Sequence, residues 1–327
     1  MNLTFSCVIP CYNAVRWIEQ SLHSVLTQTY PAFEIFVIDD GSNDGSVELV
    51  TQIRDQTSIP IHLLHSDRRG PAGARNLGIS HASGDWVAFL DADDWWKPDH
   101  LQHIQQVVAQ TQDVVYMAAA EHYSINADRV VSRSATPFDT VRNHLDADTY
   151  FQLYQTYGIL ELSGSAIRRT RLQEIGGFND EFDGAEDLEL ILRAVHGHTW
   201  AYNPTPCHFY RCSNPDSYSK KHSLDERCLT AGLRVLQSLR DDYKIPKSLL
   251  KKKAMTLLSK AIMNFDSISQ KRVFQLTSPY LSISEKMLFA TLSHTPTFYT
   301  LLNSIRNQLR GPQYAPRQVI SQSLGMQ

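Results

Sequence analysis

The sequence has no long apolar segment. None of its runs approaches the ~18 consecutive apolar residues of a membrane-spanning helix, so we expect no transmembrane segment. Residues 1–13 lack the basic region of a signal peptide and lead directly into a predicted strand. These two absences favour a cytoplasmic protein.

Cysteine is scarce, and its spacing does not indicate a metal site. The five cysteines are an odd number and lack the paired spacing of zinc ligands. Because no export signal is present, we expect reduced thiols. The glycine-rich phosphate-binding patterns GxxxxGK[ST] and GxGxxG are also missing, which argues against a P-loop and against a dinucleotide-binding loop.

What is present is an ordinary globular composition with an uneven distribution of charge. The 327 residues are 42% hydrophobic and 20% charged, which is enough for a large core. Residues 1–216 contain 14 basic and 28 acidic side chains, whereas residues 217–327 contain 17 basic and 6 acidic ones. We therefore predict two domains, 1–216 and 217–327, with different partners.

Strands and helices alternate along the first of these domains. Apolar runs and helical periodicity predict strands at 5–9, 34–39, 61–65, 86–91 and 114–119, and helices at 15–28, 44–56, 70–84 and 99–110. Further on, we predict a polar surface excursion at 121–148, helices at 149–157, 168–175 and 186–196, and short strands at 200–202 and 208–210. This order predicts an α/β fold with a parallel sheet and a site at the carboxyl ends of its strands.

The fourth predicted strand ends in three carboxylates, Asp91, Asp93 and Asp94. In an extended chain Asp91 and Asp93 lie on the same side, roughly 6–7 Å apart. Two carboxylates this close repel each other unless a positive group lies between them. Mg²⁺ or Mn²⁺ suits such oxygen ligands, but an acidic turn in which Asp94 caps the next helix explains the same residues.

Charged residues also lie at the ends of three other predicted elements. Asp40, in DDGS, can accept hydrogen bonds from a nucleobase or a ribose, or it can form an Asx turn. Arg75, in GPAGARNLG, can pair with the acidic strand ends or with a diphosphate. Glu186 and Asp187 open a helix, where they either complement the helix dipole or supply a general base.

Two aromatic residues and one histidine remain open to more than one interpretation. Trp95 and Trp96, beside the acidic strand end, can stack on a sugar ring or belong to the core. His208 can contact a metal or a diphosphate, but the sequence favours a structural role. The basic C-terminal residues lack interleaved aromatics, so we expect no nucleic-acid partner.

Six motifs occur together in an order that resembles a known family. They are PCYN, DDGSNDGS, GPAGARNLG, FLDADD, IGGF and the Glu186-Asp187…Arg193 pattern. Over residues 4–215 the chain resembles the inverting glycosyltransferases of family 2, which have the GT-A fold. The resemblance implies a nucleotide-diphosphosugar donor, often UDP-linked, and an acceptor that is a sugar or a lipid-linked sugar. It also implies Mn²⁺ or Mg²⁺ as cofactor and a role in cell-surface polysaccharide or glycolipid assembly.

The resemblance also assigns roles to single residues. Asp91 and Asp93 match the DXD motif, with Asp93 as the direct metal ligand, and Asp187 matches the catalytic base. Tyr210-Arg211 is followed by Ser213 where many members of the family have a histidine. On the nucleotide side, the resemblance places Pro10, Tyr12, Asp40 and Arg75, and Asp91 is a further candidate there. On the acceptor side, it matches Gly164 and Gly177. Trp95, Trp96 and Glu186 are further candidates for the acceptor side or another part of the site, on their own chemistry rather than on the resemblance.

The last hundred residues show helical patterns at 223–243, 247–265, 284–292 and 296–309. Lys251–Lys253 lies beside Met255, Leu257 and Leu258, which is typical of a helix on an anionic membrane surface. A helical cap or a homo-oligomer interface explains the same pattern. For the whole chain, two other functions stay open: a sugar-nucleotide pyrophosphorylase, although no glycine-rich loop follows the first strand, and a degenerate protein that only binds a nucleotide sugar or a partner.

Overall fold

A computed structural model describes residues 3–292, except residues 68, 112, 127–128, 134–137, 139, 158–161, 183, 213, 216, 218–225, 244, 246 and 265–266. Within these ranges the central element is a ten-stranded sheet. Its strands, in chain order, are β1 (Phe5–Cys11), β2 (Glu34–Asp39), β3 (Ile61–His65), β4 (Trp86–Phe89), β5 (Trp95–Trp96), β6 (Val114–Asn126), β7 (Arg129–Arg133), β8 (Arg142–Leu145), β9 (Ser165–Arg168) and β10 (Thr199–Arg211).

The strand order in space is β3-β2-β1-β4-β9-β6-β10-β5, with β7 paired to β6 and β8 paired to β10. The first four strands of this order pair in parallel, and so do β6 and β10. β9 is antiparallel to both of its neighbours, β4 and β6. The carboxyl ends of β1, β2 and β4 therefore meet at one edge, and the predicted α/β fold with a mostly parallel sheet is confirmed.

Helices in this part of the chain pack on the sheet through short apolar or small side chains. Ile18, Leu22 and Val25 recur at helical spacing and are buried on one face of the first helix. A Cβ added at Gly78 would meet Val8 Cγ1 at 2.7 Å, so small residues set the distance between helix and sheet. The helices are α1 (Ile18–Leu26), α2 (Ser46–Arg54), α3 (Gly70–His81), α4 (His100–Val108), α5 (Ala147–Tyr157), α6 (Arg169–Ile175) and α7 (Glu186–Val195).

The core lies between these helices and the sheet. Phe5, Ile9, Ile35 and Trp86 are almost completely buried, and each such side chain contributes about 1.5–3 kcal/mol when it leaves water. Cysteine thiols belong to the same core, and burial raises the pKa of Cys11 to about 12. The edge at which the acidic residues lie is therefore supported by a well-packed interior.

The structure corrects several predicted elements between residues 114 and 211. The segment 121–148, predicted as a surface excursion, supplies the end of β6 together with β7 and β8. β9 has only four residues and escapes prediction because so short a run shows no clear alternation. The two short strands predicted at 200–202 and 208–210 are the ends of one strand, β10, whose register shifts between Asn203 and His208.

The described residues divide into two compact units, one of residues 3–180 and 186–215, the other of residues 181–185 and 216–292. The second unit buries Leu233, Leu250 and Leu257 in a core of its own. The helix predicted at 296–309 lies outside the described residues. No helix in the described ranges is both long and apolar enough to cross a membrane. The helices of this unit are α8 (Glu226–Ser238), α9 (Lys247–Asn264), α10 (Ser267–Thr277) and α11 (Ile283–Leu292).

Candidate active site

The candidate site is organised around a buried arginine of α3. The side chain of Arg75 is 4% exposed, and its Nη2 lies 2.7 Å from Asp91 Oδ1, just beyond β4. Its Nη1 lies 3.3 Å from Asp187 Oδ1 and 3.4 Å from Glu186 Oε1, in the first turn of α7. One guanidinium therefore joins two acidic segments that are distant in the sequence, and the predicted pairing of Arg75 with the acidic strand ends is observed.

The charge of Arg75 is held by its neighbours. Burial alone would lower the pKa of Arg75, but the carboxylates of Asp91, Asp187 and Glu186 raise it above its ordinary value. The ring of Phe178 covers the guanidinium, with 5.4 Å between Cζ and the ring centroid. Arg75 is therefore a fixed positive centre between the two acidic segments.

Asp187 has the properties of a proton acceptor. Burial raises the pKa of Asp187 to about 7, and this effect exceeds the opposing effect of Arg75. About a third of the side chain (34%) nevertheless stays open to solvent. A carboxylate with a pKa near neutrality and an open face is suited to general-base catalysis.

The other two carboxylates of the acidic strand end have different surroundings. Asp93 Oδ2 accepts a hydrogen bond of 2.7 Å from Asn214 Nδ2, and burial, followed by the charge of Asp91, raises the pKa of Asp93. Asp94 is buried and accepts a hydrogen bond of 2.9 Å from the backbone N–H of Arg211. Asp94 does not cap α4, whose N-terminal cap position is Asp99. Asp94 therefore fastens the turn, while Asp93 remains available to a ligand.

Asp91 and Asp93 are the residues that could hold a metal ion. Among the described residues, no group of three or more His, Cys, Asp or Glu side chains converges on one point. Two carboxylates are nevertheless an adequate protein contribution for Mg²⁺ or Mn²⁺, because these cations take further oxygen ligands from water and phosphate. The chemistry of this donor set therefore fits a hard divalent cation shared with a phosphate-bearing ligand.

Asp40 has a structural task at the end of β2. Its carboxylate accepts hydrogen bonds from Ser66 Oγ and from the backbone N–H groups of Arg69 (2.9 Å) and Gly70 (3.0 Å). These bonds fix the start of α3, the helix that carries Arg75. Pro10 lies near the end of the adjacent strand β1, and the ring of Tyr12 just beyond it is exposed. The nucleobase contacts of Asp40, Pro10 and Tyr12 stay predictions.

The two tryptophans beside the acidic strand end pack against other side chains of the protein. Trp96 is 3% exposed, donates from Nε1 to the carbonyl oxygen of Ser163 and stacks on His100, so it belongs to the core. The ring of Trp95 stacks on Phe209, with 4.8 Å between centroids, and also contacts Arg211. Trp96 therefore has the core position that the sequence left open, and Trp95 already contacts other side chains of the protein. The acceptor-side role of both residues stays a prediction.

Gly164 and Gly177 are required by close packing. A Cβ at Gly164 would meet the ring of His208 at 2.2 Å, and His208 is itself buried, which agrees with a structural histidine. Gly177 has a φ of +72°, and a Cβ there would meet Asn76 Oδ1 at 2.4 Å. The acceptor contacts predicted for both glycines stay predictions.

The sequence analysis did not identify two residues whose hydrogen bonds fix Phe178 and Asp91. The side chain of Asn76 both accepts from Phe178 N and donates to Phe178 O, at 2.8 Å each, and so fixes the ring that covers the buried arginine. Ser163 Oγ accepts from the backbone N–H of Asp91 at 3.1 Å. Asn76 could have been suspected because it follows Arg75 in the same motif, whereas nothing in the sequence distinguishes Ser163. Ser213 lies outside the described residues.

The fold is that of the GT-A glycosyltransferases, and two solved structures share it. TarS (residues 1–349) of Staphylococcus aureus, solved with UDP-GlcNAc, has a TM-score of 0.60 and 17% identity over 89% of this chain and 79% of that one. The mannosyltransferase PcManGT of Pyrobaculum calidifontis, solved with GDP-Man and Mn²⁺, has a TM-score of 0.55 and 18% identity over 94% and 88%.

The sequence profile of Glycosyl transferase family 2 matches residues 6–176, just over half of the chain. The chain therefore belongs to glycosyl transferase family 2. The amylovoran biosynthesis glycosyltransferase AmsB of Erwinia amylovora is 32% identical over 59% of this chain and 64% of its own length. The putative teichuronic acid biosynthesis glycosyltransferase TuaG of Bacillus subtilis is 33% identical over 44% and 54%. The chain thus spans about half to two thirds of these relatives.

Proposed function

We propose that the protein transfers a sugar from a nucleotide diphosphosugar to an acceptor hydroxyl, with inversion of configuration at the anomeric carbon. UDP-sugars are the donors that we favour. The single observation that carries this proposal is the Arg75 cluster, which brings Asp91 and Asp187 to one guanidinium. A cation-binding carboxylate and a proton acceptor at one site are the two functions that such a displacement requires. The relatives named for amylovoran and teichuronic acid synthesis support a role in cell-surface polysaccharide assembly.

The chemistry follows from the positions of these carboxylates. Asp187 accepts the proton of the acceptor hydroxyl, and the freed oxygen pair forms the new bond to the anomeric carbon. The bond from that carbon to the diphosphate breaks at the same time, and its electron pair leaves with the diphosphate. Mn²⁺ or Mg²⁺, held by Asp91 and Asp93, would offset the negative charge that develops on the leaving group.

Nucleotide binding is assigned to the neighbouring strand ends. Tyr12 offers an exposed ring for stacking on the nucleobase, beside Pro10 and Asp40. The presence of UDP-GlcNAc in TarS and of GDP-Man with Mn²⁺ in PcManGT supports a nucleotide sugar as donor and a divalent cation as cofactor. The uracil of UDP and the guanine of GDP can both stack on an aromatic ring, so Tyr12 does not distinguish the two nucleotides. The donor therefore has to be found by screening nucleotide sugars.

The decisive experiment combines a donor panel with the variant Asp187→Asn. We expect one nucleotide sugar to raise the melting temperature of the wild-type protein in the presence of Mn²⁺, because a ligand of the native state stabilises it. Asp187→Asn should keep this shift but lose about 10²–10⁴-fold in transfer rate, the usual contribution of a general base. Near-normal turnover in Asp187→Asn would refute the role of Asp187.

The same experiment separates the proposal from its rivals. A degenerate binding protein would show the thermal shift but no transfer to any acceptor in either variant. A pyrophosphorylase would exchange the nucleotide sugar with pyrophosphate, an activity that membership in glycosyl transferase family 2 does not favour. If no nucleotide sugar stabilised the wild-type protein, the proposed function would be wrong.

For the acceptor, we propose a lipid-linked sugar reached through contact with an anionic membrane. The apolar residues Leu257 and Leu258, which the sequence assigned to the membrane side of a basic helix, are buried within the helical unit. Exposed apolar residues lie instead on α11, where Ile283 is 79% and Met287 68% exposed. Lys251 of α9 pairs with Glu285 of α11 at 3.0 Å. Residues 217–327 contain 17 basic and 6 acidic side chains, which supports attraction to an anionic surface.

A further inference from the structure

Arg211, at the end of β10, lies between two indole rings of the first unit. Its Cζ is 4.4 Å from the ring centroid of Trp17 and 4.5 Å from that of Trp95. Its Nη2 also donates to Gln20 Oε1 at 2.5 Å. A planar guanidinium can stack on rings and donate in its own plane at the same time, which a lysine ammonium cannot do.

The same short segment holds the acidic turn at three points. Arg211 donates from Nε to the carbonyl oxygen of Asp93 at 2.7 Å and from its backbone N–H to Asp94 Oδ1 at 2.9 Å. Asn214 donates from Nδ2 to Asp93 Oδ2 at 2.7 Å. Both the backbone and the carboxylate of Asp93 are thus fixed by residues that follow β10.

These contacts have a directional consequence for the carboxylate of Asp93. With Oδ2 occupied by a hydrogen bond from Asn214, the group cannot rotate freely, and Oδ1 keeps a defined direction. Partners that orient a metal ligand in this way are worth about 10–100-fold in metal affinity.

We propose that Arg211 and Asn214 are positioning residues that orient Asp93 for the divalent cation. Asn214 acts on the carboxylate directly, and Arg211 acts through the Trp17–Trp95 stack, which anchors the segment to the acidic turn. The inference rests on the proposed function in one respect only, namely that Asp93 is the cation ligand.

The test measures Mn²⁺ binding to the full chain by electron paramagnetic resonance, without nucleotide or acceptor. We expect Asn214→Ala to bind Mn²⁺ about 10–100-fold more weakly than the wild-type protein. Arg211→Lys keeps the charge but loses the planar stack, and we expect a loss in the same direction. Arg54→Lys, at an exposed pair with Asp55 on α2, is the matched control and should bind normally.

A second readout separates orientation from unfolding. Acrylamide should quench tryptophan fluorescence more strongly in Arg211→Lys, because Trp17 and Trp95 lose their cover, but not in Asn214→Ala. The melting temperature of Arg211→Lys should stay close to that of the wild-type protein, because Arg211 is only partly buried.

The outcomes distinguish this inference from the proposed function. If the wild-type protein binds Mn²⁺ and both variants bind it equally well, the positioning role is wrong and the proposed function stands. If the wild-type protein binds no Mn²⁺, the assignment of the cation to Asp93 fails, and the positioning role fails with it. A loss of Mn²⁺ binding that only accompanies unfolding in both variants would also overturn the inference.

Discussion

At the scale of single residues, the site depends on opposing influences on a few charges. Burial makes the charge of Asp187 costly, and Arg75 offsets only part of that cost. The same arginine neutralises Asp91, which would otherwise repel Asp187 across the site. The protonation of Asp187 and the arrangement of the three carboxylates therefore depend on one buried arginine.

The raised pKa of Asp187 predicts the pH dependence of transfer. Only the ionised form accepts a proton, so the logarithm of kcat should rise with unit slope below about pH 7 and level off above it. Steady-state rates between pH 5.5 and 8.5 on the best donor measure this profile. A flat profile over that range would exclude Asp187 as the group that limits the rate.

Replacing Arg75 should destabilise the protein strongly. Arg75→Ala leaves three acidic side chains without their buried counter-ion, and breaking a buried ion pair costs about 3–5 kcal/mol. Arg54→Ala, which removes only an exposed pair, should cost about 0–1 kcal/mol. Urea unfolding gives both values, and similar losses for the two variants would contradict the central role of Arg75.

Part of this site was predictable because it is carried by residue type and position. Asp91, Asp93 and Asp187 lie at the ends of elements that the apolar pattern predicts, and pairing with the acidic strand ends is one of the two roles that the sequence leaves open for Arg75. The exposure of Trp95 and Trp96 was not predictable, because adjacent tryptophans carry no signal for which one enters the core. Asn214 was missed because its hydrogen bond to Asp93 depends on where β10 ends.

At the scale of elements, the sequence predicts the bounds of those strands that are flanked by turn residues. β2 and β3 begin and end where the apolar runs do, since each is bounded by turn residues. The sequence predicts two strands in place of β10, because Pro204 and Pro206 lack the N–H that a β-ladder needs. The strand nevertheless continues, since its register shifts at these residues and its pairing with β6 resumes at His208.

The contact between α3 and β1 gives a prediction at this scale. Gly78→Ala would place a Cβ 2.7 Å from Val8 Cγ1 and 3.0 Å from Ile38 Cδ1, and overpacking of this kind costs about 1–3 kcal/mol. The better helix propensity of alanine offsets about 1 kcal/mol of that cost. We expect a net loss in thermal unfolding, whereas Ser80→Ala on the exposed face of α3 should be close to neutral. A gain in stability from Gly78→Ala would contradict this prediction and would mean that Val8 and Ile38 shift to accommodate the added Cβ.

At the scale of the whole molecule, the chain combines an acidic unit that carries the site with a basic helical unit. Composition predicts two domains with a boundary near residue 216, because the balance of charge changes there. That boundary stays a prediction. Composition could not predict that residues 181–185 join the helical unit, since that depends on tertiary contacts. It also could not predict which apolar side chains of the helical unit remain exposed.

The exposed face of α11 predicts membrane binding that depends on both charge and apolar contact. The wild-type protein should float with phosphatidylglycerol vesicles at low salt and dissociate as salt screens the basic residues. Ile283→Asp and Met287→Asp should each weaken flotation, because they put a charge into the apolar contact. Val141→Asp makes the same change at an exposed apolar residue of the other unit and should have no effect. Absence of wild-type flotation would end the membrane proposal.

The contacts between α8 and residues 181–185 limit where the chain can be truncated. Arg234 lies 5.4 Å from the ring centroid of Phe182 and donates to the carbonyl oxygen of Glu181 at 3.1 Å. A truncation at residue 215 would remove Arg234 and so expose more of the Phe182 ring, four residues before Glu186 in the sequence. A shortened version of the protein, or a chimera with a relative, should therefore retain α8 or replace Phe182 at the same time.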